Sequence, residues 1–253
     1  MEHSAQYPSL RGKRVLVSGG ASGIGEGIVE AFSRQGAGVV FFDIDEEAGA
    51  ALAARLAGCA IAPGFVACDI TDSERYIDAI GGAIDGLGGC DVLINNAAND
   101  DRHQIPAVTP AYWDASMAVN LKHQFFAAQA VVAAMRAAGG GSIVNLGSIS
   151  WHLGLEDLAI YQTAKAAIEG LTRSLARELG PDNIRVNAII PGNVQTPRQM
   201  RWYTPEGEAE IVASQALAGR IQPADIAAMA LFLSSADARM CTGHNYWVDA
   251  GWR

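Results

Sequence analysis

The chain has 253 residues, with 18 Lys and Arg against 27 Asp and Glu, a net charge of −9 at neutral pH and a pI near 5.0. Half of its residues are hydrophobic and 18% are charged, which supplies apolar surface for a sizeable core and excludes intrinsic disorder. The acidic balance argues against nucleic acid, whose phosphates call for a basic face, and the 28 glycines follow no three-residue period, so they serve backbone geometry rather than collagen.

The pattern of elements in chain order is regular. Arg14–Ser18 is a short apolar run ending in glycines, as expected of a strand buried on both faces. A helical pattern follows through Ile24, Ile28 and Phe32 and stops at Gly36. Val39–Phe42 reads as a second strand, Glu46–Leu56 as a helix, Phe65–Asp69 as a third strand and Ser73–Ile84 as a helix. Asp91–Asn95 is the fourth strand. Two long helical patterns, Ala111–Ala138 and Asp157–Leu179, flank a fifth strand at Ser142–Leu146, and Gly180-Pro181 stops the second helix. Ile184–Ile190 is the sixth strand, Pro191–Pro205 is loop-like, Glu206–Gln215 and Ala224–Leu233 are helical, and Asn245–Val248 is a last strand. This alternation predicts an α/β fold: one domain over residues 1–253, with 1–11 as an N-terminal extension, built on a doubly wound, mostly parallel sheet of about seven strands with helices on both faces.

Covalent and targeting signals are sparse. Cys59, Cys68, Cys90 and Cys241 form no C-x-x-C pair and are expected as reduced, mostly buried thiols. Met1–Leu10 lacks the pattern of a signal peptide, and no apolar run reaches the length of a membrane helix. The five histidines share no metal-ligand spacing. The expectation is a cytoplasmic protein with no metal, no membrane and no nucleic-acid partner.

Two constellations carry chemistry. After the first strand comes Ser18-Gly19-Gly20-Ala21-Ser22-Gly23-Ile24-Gly25, placing Gly19, Gly23 and Gly25 between a strand and a helix. Glycine there permits a tight turn and brings backbone N–H groups close to a pyrophosphate at the helix N-terminus, although a purely structural turn has the same composition. Asp43 ends the second strand, where a carboxylate can accept from an adenosine ribose and repels a 2′-phosphate. The neighbours Ile44 and Asp45 offer no cation to a 2′-phosphate, so NAD is expected over NADP. Further on, Tyr161 and Lys165 stand at i and i+4 on one helix face. A phenol is a weak base at neutral pH, and a nearby ammonium favours its phenolate. Ser148 ends the fifth strand, where parallel sheets place their ligands. A Tyr-x-x-x-Lys pair alone also occurs as a snorkelling pair on surface helices; together with Ser148 it is far rarer.

On these residues the sequence resembles the short-chain dehydrogenase/reductase family over residues 12–253. The glycine turn has Ser18 where the family usually has Thr. Asp69-Ile70 matches the adenine-contacting pair. Asn95-Asn96-Ala97-Ala98 matches N-N-A-G with Ala98 for glycine, and Gly147 replaces a serine common before Ser148. The resemblance implies a Rossmann-type fold and a catalytic set of Asn120, Ser148, Tyr161 and Lys165. It implies an NAD site formed by Gly19, Ser22, Gly23, Ile24, Gly25, Asp43, Ile44, Asp69, Ile70, Asn96, Ala97, Tyr161, Lys165, Pro191, Gly192, Val194 and Thr196.

Within the family, the segments 99–103, 147–157 and 202–208 and the tail from Cys241 are similar to bacterial NAD-dependent aldose 1-dehydrogenases acting on D-xylose. L-arabinose and other aldose enzymes share much of that fabric. The resemblance implies oxidation of the C1 hydroxyl of an aldopentose to the aldonolactone, with Tyr161 as base, Ser148 holding the reacting oxygen and Asn120 helping to hold a water relay from Lys165. It points to Asn99, Asp100, Ser148, Trp151, His152, Tyr161, Asn193 and Trp202 as substrate contacts. With Arg102, His103, Glu156, Gln195 and Tyr203, the segments expected to roof the site, 99–103, 150–157 and 193–204, offer hydrogen-bond partners and flat apolar faces, as a sugar requires. A homotetramer burying the helices around Phe125–Val132 and Ala164–Leu175 is also implied. Competing readings are a 3-oxoacyl carrier-protein reductase or polyol dehydrogenase, disfavoured by Asp43 and the acidic charge, and a non-catalytic NAD-binding protein, which has no need of the four catalytic residues together.

Overall fold

The computed structural model of the protein describes residues 5–201 and 203–252. Its elements run β1 (Arg14–Ser18), α1 (Gly23–Arg34), β2 (Gly38–Asp43), α2 (Glu46–Arg55), β3 (Gly64–Ala67), α3 (Ser73–Leu87), β4 (Val92–Asn95), α4 (Pro110–Met117), α5 (His123–Ala137), β5 (Gly141–Leu146), α6 (Ser150–Leu153), α7 (Ala159–Leu179), β6 (Ile184–Pro191), α8 (Pro197–Met200), α9 (Pro205–Ala213), α10 (Pro223–Ser234) and β7 (Asn245–Val248). The seven strands form one parallel sheet in the order β3-β2-β1-β4-β5-β6-β7.

The continuous apolar runs of the strands follow from burial on both faces. Val15 and Val17 of β1, Val92 and Ile94 of β4, and Val144 and Leu146 of β5 enter one core, with Ile28 and Phe32 of α1 and Ile226 and Leu231 of α10. The alternate residues Leu16, Leu93 and Ile143 enter a second core on the opposite face, with Tyr76 and Ile80 of α3, Val131 of α5 and Leu175 of α7. The strand order reverses between β1 and β4. In such sheets the crevice outside the carboxyl ends of the two central strands receives the ligand.

Several boundaries depart from the sequence expectation for identifiable reasons. The predicted helix Ala111–Ala138 is interrupted by a wide π turn at Ala118–Lys122. There the Asn120 side chain donates to the Ser116 carbonyl at 3.0 Å, competing for the acceptor that a regular helix gives to the backbone N–H. The helix expected from Asp157 begins at Ala159, because Asp157 adopts a left-handed φ of 62°. Gly180 is not left-handed; the chain passes through a 3₁₀ turn, Gly180–Asp182, and Asn183 takes the positive φ. The third strand ends at Ala67, leaving Asp69 beyond it, and the loop-like stretch 191–205 contains α8. Of the cysteines Cys90 is buried, whereas Cys59, Cys68 and Cys241 are half-buried. Among the described residues no helix is long and apolar enough to cross a membrane.

At the opposite edge from the crevice, the start of β1 is fastened to the start of β4. Asp91 accepts from Lys13 Nζ at 2.9 Å, Arg14 Nε at 2.6 Å and the Arg14 backbone N–H at 3.0 Å. Burial would raise this carboxyl, but the hydrogen bonds from Arg14 and Lys13 outweigh it and hold the group at about 2. A carboxyl depressed in this way stabilises the fold above the ordinary carboxylate range and loses that contribution as pH falls through its folded value. Asp91→Asn is therefore expected to cost about 1 kcal/mol at neutral pH, after allowance for solvent screening. In urea titrations the gap between wild type and variant should close as pH falls from the ordinary carboxylate range through about 2.

Candidate active site

The turn after β1 is shaped by close approach. Gly19 and Gly23 take φ of +65° and +57°, a region that suits glycine. A Cβ on Gly25 would lie 1.8 Å from the Gly19 carbonyl oxygen, so no side chain fits without moving the turn. Asn96, just beyond β4, clasps the turn: its Nδ2 donates to the carbonyls of Ser18 (3.1 Å) and Gly19 (2.8 Å). In return the Ser18 hydroxyl accepts from the backbone N–H of Asn96 (3.0 Å) and Ala97 (3.2 Å). Ser22 stands at the N-cap of α1 but makes no side-chain cap, so the first-turn N–H groups are left for another acceptor. The site thus fits a dinucleotide's pyrophosphate, with Gly23 and Ile24 at the helix start.

Asp43 sits at the carboxyl end of β2. Its Oδ2 accepts from Ala21 N–H at 2.9 Å and its Oδ1 from Asp45 N–H at 3.1 Å, which leaves lone pairs for a ribose. Ile44 beside it is 72% exposed and packs in no core. Asp69 is exposed and accepts from Thr71, whereas Ile70 is buried in the core under α3. On the other side of the crevice, Thr196 lies against Gly23, whose added Cβ would come within 3.2 Å of the threonine methyl. Gly192 permits close passage beside Asp249, and Val194 bridges to Ile221.

Ser148, Tyr161 and Lys165 come together in a cavity of about 210 Å³ at the ends of β4, β5 and β6. Ser148 lies just past β5, and its hydroxyl pairs with that of Ser150 at 3.0 Å. The Tyr161 phenol is raised above its ordinary range by burial and by the charge of Asp100, against which the Ser148 hydroxyl and Arg198 work. Lys165 is fully buried, with Nζ donating to the Leu146 carbonyl at 2.8 Å and lying 5.5 Å from the centre of the Tyr161 ring. Burial pushes it down to about 7, opposed by the charge of Asp100.

Asn120 is buried in the π turn. Its Oδ1 accepts from Asn99 N–H at 2.8 Å, and its Nδ2 donates to the Asn99 carbonyl at 2.9 Å as well as to Ser116. The side chain is therefore occupied in bracing the loop after β4, which leaves it little capacity for the expected water relay. His123, absent from the expected set, sits beneath this loop with Nε2 at 3.1 Å from the Ala97 carbonyl. Burial and the Lys165 charge lower it to about 3, so it is neutral and donates to that carbonyl.

The expected substrate residues divide. Asp100, Ser148, Tyr161 and Asn193 line the cavity. Asn99 bonds to Asp101 and Arg198 instead. Trp151 and His152 turn away: both bond Glu169 of α7 at 2.8 Å, and the His152 ring packs on Trp247. Glu169 thus ties the two rings of α6 to α7. Trp202 lies outside the described residues. The cavity is completed by Gln199, Tyr203, Arg102, Trp252 and Leu153, Leu155 and Leu158. Gln199 and Trp252 were hidden in the sequence because the one lies in a four-residue helix, too short for periodicity to show, and the other in an irregular segment.

Comparisons with known proteins bear on this geometry. The family pattern described as enoyl-(acyl carrier protein) reductase matches residues 19–253. A D-xylose 1-dehydrogenase of Caulobacter vibrioides is 59% identical over 250 residues, covering 99% of both chains. The chain belongs to the short-chain dehydrogenase/reductase family. A protein of Rhizobium meliloti described as a "probable galactose dehydrogenase" is 47% identical over 98% of both chains. Two solved structures are similar throughout. A blue fluorescent protein from a metagenomic library, in complex with NADPH, has a TM-score of 0.90 and 33% identity, covering 96% of this chain and 99% of its own. A 7α-hydroxysteroid dehydrogenase, complexed with NADH and 7-oxo glycochenodeoxycholic acid, has a TM-score of 0.91 and 30% identity, covering 99% and 98%. The protein is thus an oxidoreductase of the short-chain dehydrogenase/reductase family, whose solved neighbours hold NADH or NADPH.

The tightest point of the cofactor turn is testable. Gly25→Ala places a methyl against Gly19 and Asn96 and is expected to weaken nicotinamide-dinucleotide binding tenfold or more and to cost about 1–3 kcal/mol of stability. Fluorescence titration with NADH and thermal unfolding measure the two effects.

Proposed function

We propose that the protein is an NAD-dependent aldose 1-dehydrogenase that oxidises the C1 hydroxyl of an aldopentose, D-xylose foremost, to the aldonolactone. The observation that carries this reading is the 59% identity, over 99% of both chains, to a relative named D-xylose 1-dehydrogenase. The small cavity supports it, because Asp100, Arg102, Asn193, Gln199 and Tyr203 offer partners for several hydroxyls and Trp252 offers a flat face for C–H groups.

In this mechanism Ser148 holds the anomeric oxygen and Tyr161 removes its proton. Lys165, buried beneath the Tyr161 ring, supplies positive charge that favours the phenolate. A nicotinamide dinucleotide, which the Gly19–Gly25 turn, Asp43 and Thr196 would hold, would supply the acceptor for the C1 hydride. Asn120 and His123 act as braces, holding Asn99 and Ala97, the residues that lead into Asp100. Because the pyranose is already a cyclic hemiacetal, C1 carries a secondary alcohol and the sugar need not open.

NAD over NADP rests on Asp43. Its carboxylate at the end of β2 favours a ribose diol and opposes a 2′-phosphate, and the adjacent Ile44 and Asp45 bring no cation. A cytoplasmic homotetramer, with one domain per chain, completes the proposal. Phe125, 43% exposed on α5, supports self-association, whereas Ala164, Ile168 and Leu175 of α7 are already buried within one chain.

With purified protein and NAD, NADH absorbance is expected to rise fastest on D-xylose among an aldose panel; no turnover of any aldose would overturn the reading. Tyr161→Phe should lower kcat by at least about a thousandfold while NADH binding survives, the loss expected when a positioned base is removed. Asp43→Ser should shift the ratio of kcat/KM for NAD over NADP toward NADP by about tenfold or more, the value of roughly 1.4 kcal/mol of lost discrimination.

A further inference from the structure

Two walls of the cavity, the loop after β4 and helix α8, are joined by charge. Arg198 Nε lies 3.1 Å from Asp100 Oδ1, while its Nη2 lies 2.9 Å from Asp101 Oδ1 and 2.6 Å from Asn99 Oδ1. Next to it, Gln199 donates to Asp100 Oδ2 at 2.8 Å and accepts from the Tyr203 hydroxyl at 2.8 Å. The loop end of this bridge is fixed, because Asn120 holds both backbone groups of Asn99.

Asp100 shares the cavity with Tyr161 and Lys165, and its charge acts on both. It opposes the phenolate of Tyr161, and the Arg198 guanidinium acts on the same phenol in the opposite sense. The other polar and titratable groups around this centre are Lys165 on α7, Ser148 after β5, His123 on α5, Arg102 and His103 on the Asp100 loop, and Tyr203 before α9. His123 is neutral, and His103 is engaged with Tyr112. Arg198 is itself 48% exposed, so its ion pairs contribute little to the fold. Their larger effect falls on the group that must become charged inside the cavity, where like charge is poorly screened.

We propose that Arg198 is a positioning residue for proton transfer: by pairing with Asp100 it ties α8 to the loop after β4 and cancels the carboxylate charge that would otherwise face Tyr161. The proposal rests on Tyr161 being the base. It makes α8, one wall of the cavity, the source of a cation that adds to Lys165 in readying the base.

The test is the pH dependence of kcat/KM, with NAD and the aldose turned over fastest, in wild type, Arg198→Met, Arg198→Lys and the double variant Arg198→Met/Asp100→Asn. Arg198→Met should move the rising limb about one unit to higher pH, so that turnover falls about tenfold below the limb and recovers above it. Arg198→Lys keeps the charge and should leave the limb within a few tenths of a unit of wild type. The double variant, which loses the Asp100 carboxylate as well, should bring the limb back to the wild-type position or below it. An unmoved limb in Arg198→Met, or a double variant as displaced as the single one, overturns the proposal. Tyr161→Phe, run in parallel, separates the two readings. If it keeps turnover, the base assignment fails; if it is inactive while the Arg198→Met limb stays put, the Arg198 proposal alone fails. NADH fluorescence enhancement in each variant verifies a folded cofactor site.

Discussion

The site depends on one clasp between two neighbouring strands that carry their chains away in opposite directions. β1 and β4 lie side by side, but their continuations diverge, and a ligand can enter between them only if the gap is held open at a fixed width. Asn96 and Ser18 set that width. The amide and hydroxyl exchange four hydrogen bonds with the backbone of the opposite strand end, and the glycine carbonyl so held is the one that excludes a side chain at Gly25. The apolar run of β1, the glycines and the Asn-Asn segment are thus parts of one device. Ser18 in place of the usual threonine keeps its hydroxyl and loses nothing in this exchange.

A second layer of bracing sits one loop further on. Asn120 interrupts its own helix, and with it the hydrogen-bond ladder, to hold the backbone of Asn99, while His123 at the start of α5 holds Ala97. The stretch they hold leads directly into Asp100, which lines the cavity. In so small a space the Asp100 charge acts on the proton affinity of both the buried lysine and the tyrosine. Rigid backbone supports are what such an arrangement needs, because the interaction changes steeply with distance at low dielectric.

The sheet was legible in the sequence because central strands buried on both faces are nearly continuous apolar runs, while the half-buried edge strands β3 and β7 were marked by their place in the alternation. The cavity floor was legible for a related reason. Ser148, Tyr161 and Lys165 sit on or beside regular elements, so spacing predicts direction. The walls were not. Trp151 and His152 were expected to face a sugar, but Glu169, far along the chain on α7, collects both rings. Gln199 and Trp252 face the cavity from segments where no repeat reveals orientation. The break at Asn120 is likewise invisible to periodicity, since it arises from a side chain competing with the backbone of its own helix.

This division between floor and walls also accounts for how one catalytic arrangement can serve different alcohols. The floor is built from strand ends and the first half of α7, which the sheet register fixes. The walls are the loop after β4, α6, α8 and the residues around Trp252, held to one another by side-chain bonds such as Asp100 with Arg198 and Asn193 with Tyr203. Exchanging those side chains reshapes the cavity without disturbing the clasp at Ser18 or the position of Lys165. Relatives named for xylose and galactose and a solved steroid dehydrogenase share this scaffold, which is the pattern expected when walls change and the floor does not. The polar walls of this chain therefore say more about its substrate than its catalytic residues do, and Asp100, held by the cation opposite it, is where wall and floor meet.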